Sequence, residues 1–149
     1  MPNRLASSIQ RNAVEAHFLA EQVAGESGFT AASWYNPFGD CITFTLADEA
    51  KVADRVDHVL TIYRSAVDSR PIGYQIKGVL AIIRRFGLSG LSVVREHDDG
   101  ELLSVSVAFI LLAASEDGPQ TIQRREGYSI ALDQNGPPAR ISSRDLVSA

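Results

Sequence analysis

The sequence predicts an α+β fold, an antiparallel sheet of about five or six strands flanked by helices, and three observations predict it. Segments 41–46, 56–63 and 72–77 alternate bulky and small or polar residues, the period of a strand with one face buried. Turn residues separate the last two, in Asp68-Ser69-Arg70-Pro71. Apolar residues at helical spacing open the chain and follow the central pair of strands. A long N-terminal helix packed on the sheet and a short helix after the central hairpin complete the expected architecture. Its 149 residues suit a single domain, 1–149, with a poorly ordered C-terminal segment from about 136.

In chain order, Leu5, Ile9, Ala13, Ala16, Ala20 and Val23 form one stripe of a helix over 6–24, with Ser7 or Ser8 to cap it and Gly25 to end it. The many alanines in that stripe allow close approach to a sheet. Residues 25–36 mix Gly, Ser, Thr and Asn with Phe29, Trp34 and Tyr35, and read as a loop folded back onto the core edge, with Trp34 as its buried anchor. Pro37 and Gly39 turn the chain into the strand 41–46. Segment 47–54 reads as a helical turn or a long connection, and the residues do not decide between them.

The central hairpin is the organising element. Val56, His58, Leu60 and Ile62 lie on one side of an extended chain, and Ile72, Tyr74 and Ile76 on one side of the return strand. Gly78 then permits a change of direction into a helix over 79–86, and Gly87 stops it. With its runs Leu60-Thr61-Ile62-Tyr63 and Ile76-Lys77-Gly78-Val79, the segment 41–86 resembles the central hairpin of small bacterial proteins that have no assigned activity. That resemblance implies a fold and no reaction.

Beyond Gly87 a strand over 91–96, an Asp-Gly turn at 99–100 and a partner strand over 101–113 are expected. The apolar run 107–114 also fits a helix, and periodicity alone does not separate the two readings. A last strand is expected over 128–132, followed by a break at Asn135-Gly136-Pro137-Pro138.

Composition narrows function by exclusion. A net charge of −4 argues against non-specific nucleic-acid binding, which depends on a basic surface. No run is long and apolar enough for a membrane span, no secretory leader is recognisable, and a single cysteine rules out an intrachain disulfide. A cytoplasmic location follows as the expectation. Charge comes in blocks: 40–60 has five acids and two bases, 61–95 six bases and one acid, 96–101 four acids. Neighbouring strands pairing opposite signs explain this pattern; a positive face of Arg64, Arg70, Lys77, Arg84 and Arg85 for an anionic ligand is the sharper alternative.

Tests for chemistry come out negative. His17, His58 and His97 are scattered without a metal-ligand pair, so no metal is expected. Cys41 follows Asp40, whose charge opposes thiolate formation, and reads as a small packed residue. Nucleophile-elbow and phosphate-loop motifs are absent, so no catalytic residue and no cofactor is expected. Glu49, Asp54, Asp57 and Glu96 are carboxylates without a geometric argument.

What remains is a non-catalytic binding or interaction protein, self-associating as a homodimer through a sheet edge or the apolar later segment, or binding another protein. The second reading is an enzyme or small-molecule binder with a pocket between the N-terminal helix and the sheet, rimmed by Trp34, Tyr35 and Tyr74. A small anionic ligand would be held by Lys77, Arg84 and Arg85 beside the Gly78 helix entry. The third is an immunity-type or inhibitor protein whose acidic turns around Asp54 and Asp99 meet a basic partner.

Overall fold

The computed structural model describes residues 29–90, 94–95 and 102–148. The chain divides between Ala31 and Ala32, and the second unit carries the strands and helices of the fold. The helix expected over 6–24 and the turn expected at 97–100 lie outside the described residues, as does any pocket beneath that helix.

The architecture is mixed α+β. Five antiparallel strands form the main sheet in the order β1-β2-β5-β4-β3: β1 (Ala32–Asn36), β2 (Cys41–Thr45), β3 (Lys51–Arg55), β4 (Leu60–Ser65) and β5 (Pro71–Lys77). Helix α1 (Val79–Gly90) follows, then a small sheet β6 (Val94–Arg95), β7 (Leu102–Val105) and β8 (Ala139–Ser142) in that order. Helices α2 (Val107–Ser115) and α3 (Ile122–Asp133) lie between β7 and β8, and α4 (Ser143–Ser148) ends the described chain.

Register explains the core. Tyr35, Ile42, Ile76 and Leu60 stand opposite one another across β1, β2, β5 and β4, and Phe44, Tyr74 and Ile62 form the next row on the same face. Ile42, Ile76, Leu60, Phe44, Tyr74 and Ile62 are all buried. Full burial of each such side chain contributes about 1.5–3 kcal/mol relative to leaving it in water. Phe44 and Tyr74 pack with ring centroids 5.3 Å apart and planes tilted by 42°. Helix α3 lies against β4 and β5, and α2 against α1 and α3.

The expected central hairpin is present, with Leu60 opposite Ile76 and Ile62 opposite Tyr74. It starts later than the alternation predicts, at Leu60 and not at Val56. Asp57 is the reason, because its Oδ1 accepts from the amides of Val59 (2.8 Å) and Leu60 (2.7 Å) and winds 56–59 into a turn. Helix α1 extends to Gly90 but breaks at Gly87, where φ is 81° and helical geometry is lost.

Several expectations are corrected. Residues 32–36 are a strand and not part of a folded-back loop, and 51–55 are an edge strand with every residue exposed, so no alternation marks it. The run 107–114 is helical: Ser106 Oγ accepts from the Phe109 amide, and Val107, Ile110, Leu111 and Ala114 bury at helical spacing. Residues 128–132 belong to α3, capped by Thr121, whose buried stripe is Arg124, Gly127, Tyr128 and Ala131. From about 136, where poor order is the reading of the sequence, the chain forms β8 and α4, with Ala139 and Ile141 buried.

Candidate functional site

Asp40 sets the frame of the site. It closes the β1–β2 hairpin with φ at 51°, and its carbonyl accepts from the amides of Gly78 (2.9 Å) and Val79 (3.3 Å). Its Oδ1 also accepts from the Leu80 amide at 3.0 Å and from the Tyr35 hydroxyl at 2.8 Å. The amides of Gly78, Val79 and Leu80 at the start of α1 are therefore satisfied by a residue far upstream. An anion cannot be recruited by those amides, and the Gly78 entry is not the anion cradle its sequence suggests. Burial, with the bond to the Asp40 carboxylate, pushes the Tyr35 hydroxyl well above its ordinary pKa.

Beside this helix start lies an open depression of about 430 Å³. Its polar groups are His58 from the β3–β4 turn, Lys77 at the end of β5, Arg85 on α1 and Asp117 from the α2–α3 loop. Val59, Ile82, Phe86 and Ala114 contribute its apolar floor. Arg85 Nη1 lies 2.7 Å from Asp117 Oδ2, a pair more than half exposed on both sides. Lys77 and His58 have no charged partner among the described residues. The depression thus gathers basic groups from three elements around an apolar surface, with one acid.

A buried polar network holds its two walls. Arg124, 6% exposed, spends all five guanidinium donors. Nε bonds Asp57 Oδ2 at 2.8 Å; Nη1 bonds the carbonyls of Ser115 (2.9 Å) and Pro119 (3.2 Å); Nη2 bonds those of Ala114 and Asp117, both at 2.8 Å. The Tyr128 hydroxyl donates to Asp57 Oδ2 at 3.0 Å. Arg124 so ties the end of α2, the following loop and the β3–β4 turn into one body. Burial alone would raise the Asp57 pKa; the amides of Leu60 and Val59, with Arg124 and Tyr128, outweigh it and hold the carboxyl below the usual range.

The sequence-named residues separate clearly. Lys77 and Arg85 meet at the depression, whereas Arg84 is exposed on α1 and does not line it. Trp34 is 67% exposed and stands on the sheet face opposite Tyr35, so it is no buried anchor. Tyr74 is buried in the core against Phe44 and does not line the depression. Arg64 pairs across strands with Asp54 at 2.9 Å, and Arg70 pairs with Asp68 at 2.9 Å and with Glu49. Opposite charge on the paired strands β3 and β4 accounts for Arg64, whereas Arg70 takes its partners from its own β4–β5 turn and from the β2–β3 connection. Asp54 is committed to Arg64, and Asp99 lies outside the described residues.

His58 and Asp117 were not in the sequence-derived anion set. The local signal is Lys77 beside the helix start with Arg84 and Arg85 farther along the helix, and both newcomers are distant in sequence. Cys41 is a free, buried thiol. Among the described residues no group of three His, Cys, Asp or Glu side chains converges, and no helix is long and apolar enough to cross a membrane. Comparison with protein-family models, with curated proteins and with solved structures finds no match.

Proposed function

We propose that the chain is a non-catalytic binding protein that takes a small organic anion in the depression between α1 and the β3–β4 turn. One observation carries this reading: His58, Lys77 and Arg85 arrive from three separate elements at one apolar-floored hollow. Apolar surface surrounded by a few convergent polar groups is the usual composition of a small-molecule site. Among the described residues that line the hollow, none is a nucleophile paired with a base. The buried Cys41 thiol accords with a cytoplasmic setting, which belongs to the same proposal.

Solvent-facing charges each contribute up to about 1 kcal/mol, so with the apolar floor the affinity for a simple probe is of the order of 1 mM. Isothermal titration calorimetry with benzoate, against benzylammonium as a control of opposite charge, tests it. Benzoate binding that weakens about two- to fivefold in Lys77→Ala is the expected result. Equal heats for both probes, or benzoate binding indifferent to Lys77, contradict it.

A second reading, self-association, has its own observation. Helix α2 is apolar on all sides, and its outer residues Phe109 and Leu112 are 43% and 46% exposed. Helices of that composition are normally enclosed. A second copy seated there makes a homodimer, with sedimentation velocity as the test. A dimer that dissociates in Leu112→Glu supports it, and monomer at every concentration rejects it.

A further inference from the structure

Among the described residues, Arg85 is the one basic group of the depression that already holds an anion, and that anion belongs to the protein. Its Nη1 meets Asp117 Oδ2 at 2.7 Å, at the edge of the floor made by Ile82, Phe86 and Ala114. We infer that Asp117 is an internal competitor: an organic anion with an apolar body displaces its carboxylate from Arg85 and lays that body on the floor, so Asp117 sets the affinity and selects against small hydrophilic anions. This inference rests on the depression being the ligand site proposed above.

Three features support it. First, Asp117 is placed independently of Arg85, because Arg124 Nη2 binds its backbone carbonyl at 2.8 Å and its amide donates to the Ala114 carbonyl at 3.1 Å. Its carboxylate is therefore presented at the hollow whether or not a ligand is there. Second, the pair is weak enough to exchange, since the side chains are 59% and 61% exposed, and exposed pairs are readily traded for water or another anion. Third, Arg85 is held from behind by packing on the Phe86 ring, with the guanidinium carbon 5.4 Å from the ring centroid. The guanidinium can thus change partners without leaving the site.

The consequence is discrimination. An incoming acid gains on Arg85 only the excess over what Asp117 gives up, so Arg85 contributes less than an unpaired guanidinium would. The rest of the binding comes from Lys77, His58 and the apolar contact, and the apolar contact is what acetate lacks and benzoate supplies. Benzoate is accordingly expected to bind at least about fivefold tighter than acetate, the value of one or two buried methylene-sized contacts.

Calorimetry of the full chain with benzoate and with acetate, in wild type, Asp117→Asn and Arg85→Ala, tests this. Asn keeps the size of the side chain and the backbone contacts with Arg124, and thermal unfolding confirms that the variant is folded. Expected are binding about three- to fivefold tighter in Asp117→Asn, the factor released with one exposed ion pair, and weaker binding in Arg85→Ala. Unchanged or weaker benzoate binding in Asp117→Asn, with Arg85→Ala still impaired, overturns the competitor role and leaves the anion site standing. Equal affinity for acetate and benzoate overturns the apolar-body requirement. Loss of any dependence on Arg85 and Lys77 overturns both the inference and the site.

Discussion

Replacing Arg124 with Met should cost the protein about 3 kcal/mol, near the lower end of the 3–5 kcal/mol typical of stripping one partner from a buried ion pair. Met keeps an unbranched chain of similar reach, so packing changes least while the guanidinium is lost. Four carbonyls and the Asp57 carboxylate then lose their shared donor. Asp57 retains the Val59 and Leu60 amides and the Tyr128 hydroxyl, which is why the lower figure applies. Urea unfolding followed by circular dichroism gives the free energies, with an unchanged m-value as evidence that both states kept their extent. The double variant Arg124→Met/Asp57→Asn should fall short of the sum of the single losses by at least about 1 kcal/mol, because the two side chains share one interaction. A loss below about 1 kcal/mol for Arg124→Met, or strict additivity, refutes the role given to the Arg124–Asp57 network.

The Asp57 carboxyl also makes stability pH-dependent: with its folded pKa below the ordinary value near 3.9, its contribution is complete above about pH 5 and disappears as pH falls through the folded pKa. Asp57→Asn should be less stable than wild type at pH 7, and the gap should narrow on acidification; a constant gap from pH 7 to about pH 3 contradicts this. Gly73 has φ at 152°, and a Cβ there would sit 2.3 Å from the Phe44 carbonyl oxygen, whereas a Cβ on Gly87 meets nothing within 4 Å. Gly73→Ala should therefore cost at least about 2 kcal/mol in thermal or urea unfolding and Gly87→Ala about 1 kcal/mol, and the reverse order would show that the β2–β5 approach is misjudged.

Legibility of the fold followed burial. Strands β2, β4 and β5 each bury one face, and their alternation is plain in the residue string. β3 buries neither face, so Lys51-Val52-Ala53-Asp54-Arg55 carries no period to read. α3 was hidden for the opposite reason: its inward stripe includes Arg124 and Gly127, residues that no hydrophobic pattern counts. Gly127 is there because a Cβ would come within 2.6 Å of Val56, and Arg124 because five acceptors converge on it. For 107–114 the deciding signal was Ser106, a capping residue directly before an alanine- and leucine-rich run. At the site, Lys77 and Arg85 were visible because they are close in sequence, Lys77 just before α1 and Arg85 within it. Asp40, His58 and Asp117 were not, since tertiary contacts alone bring them there.

A titration of benzoate into isotopically labelled protein, followed by backbone amide NMR, tests the ligand site most directly. Chemical-shift changes concentrated on His58, Val59, Gly78, Ile82 and Asp117, saturating together, are what the account predicts. Changes centred on the face that carries Trp34 and Thr43, or spread without saturation over the surface, would contradict it.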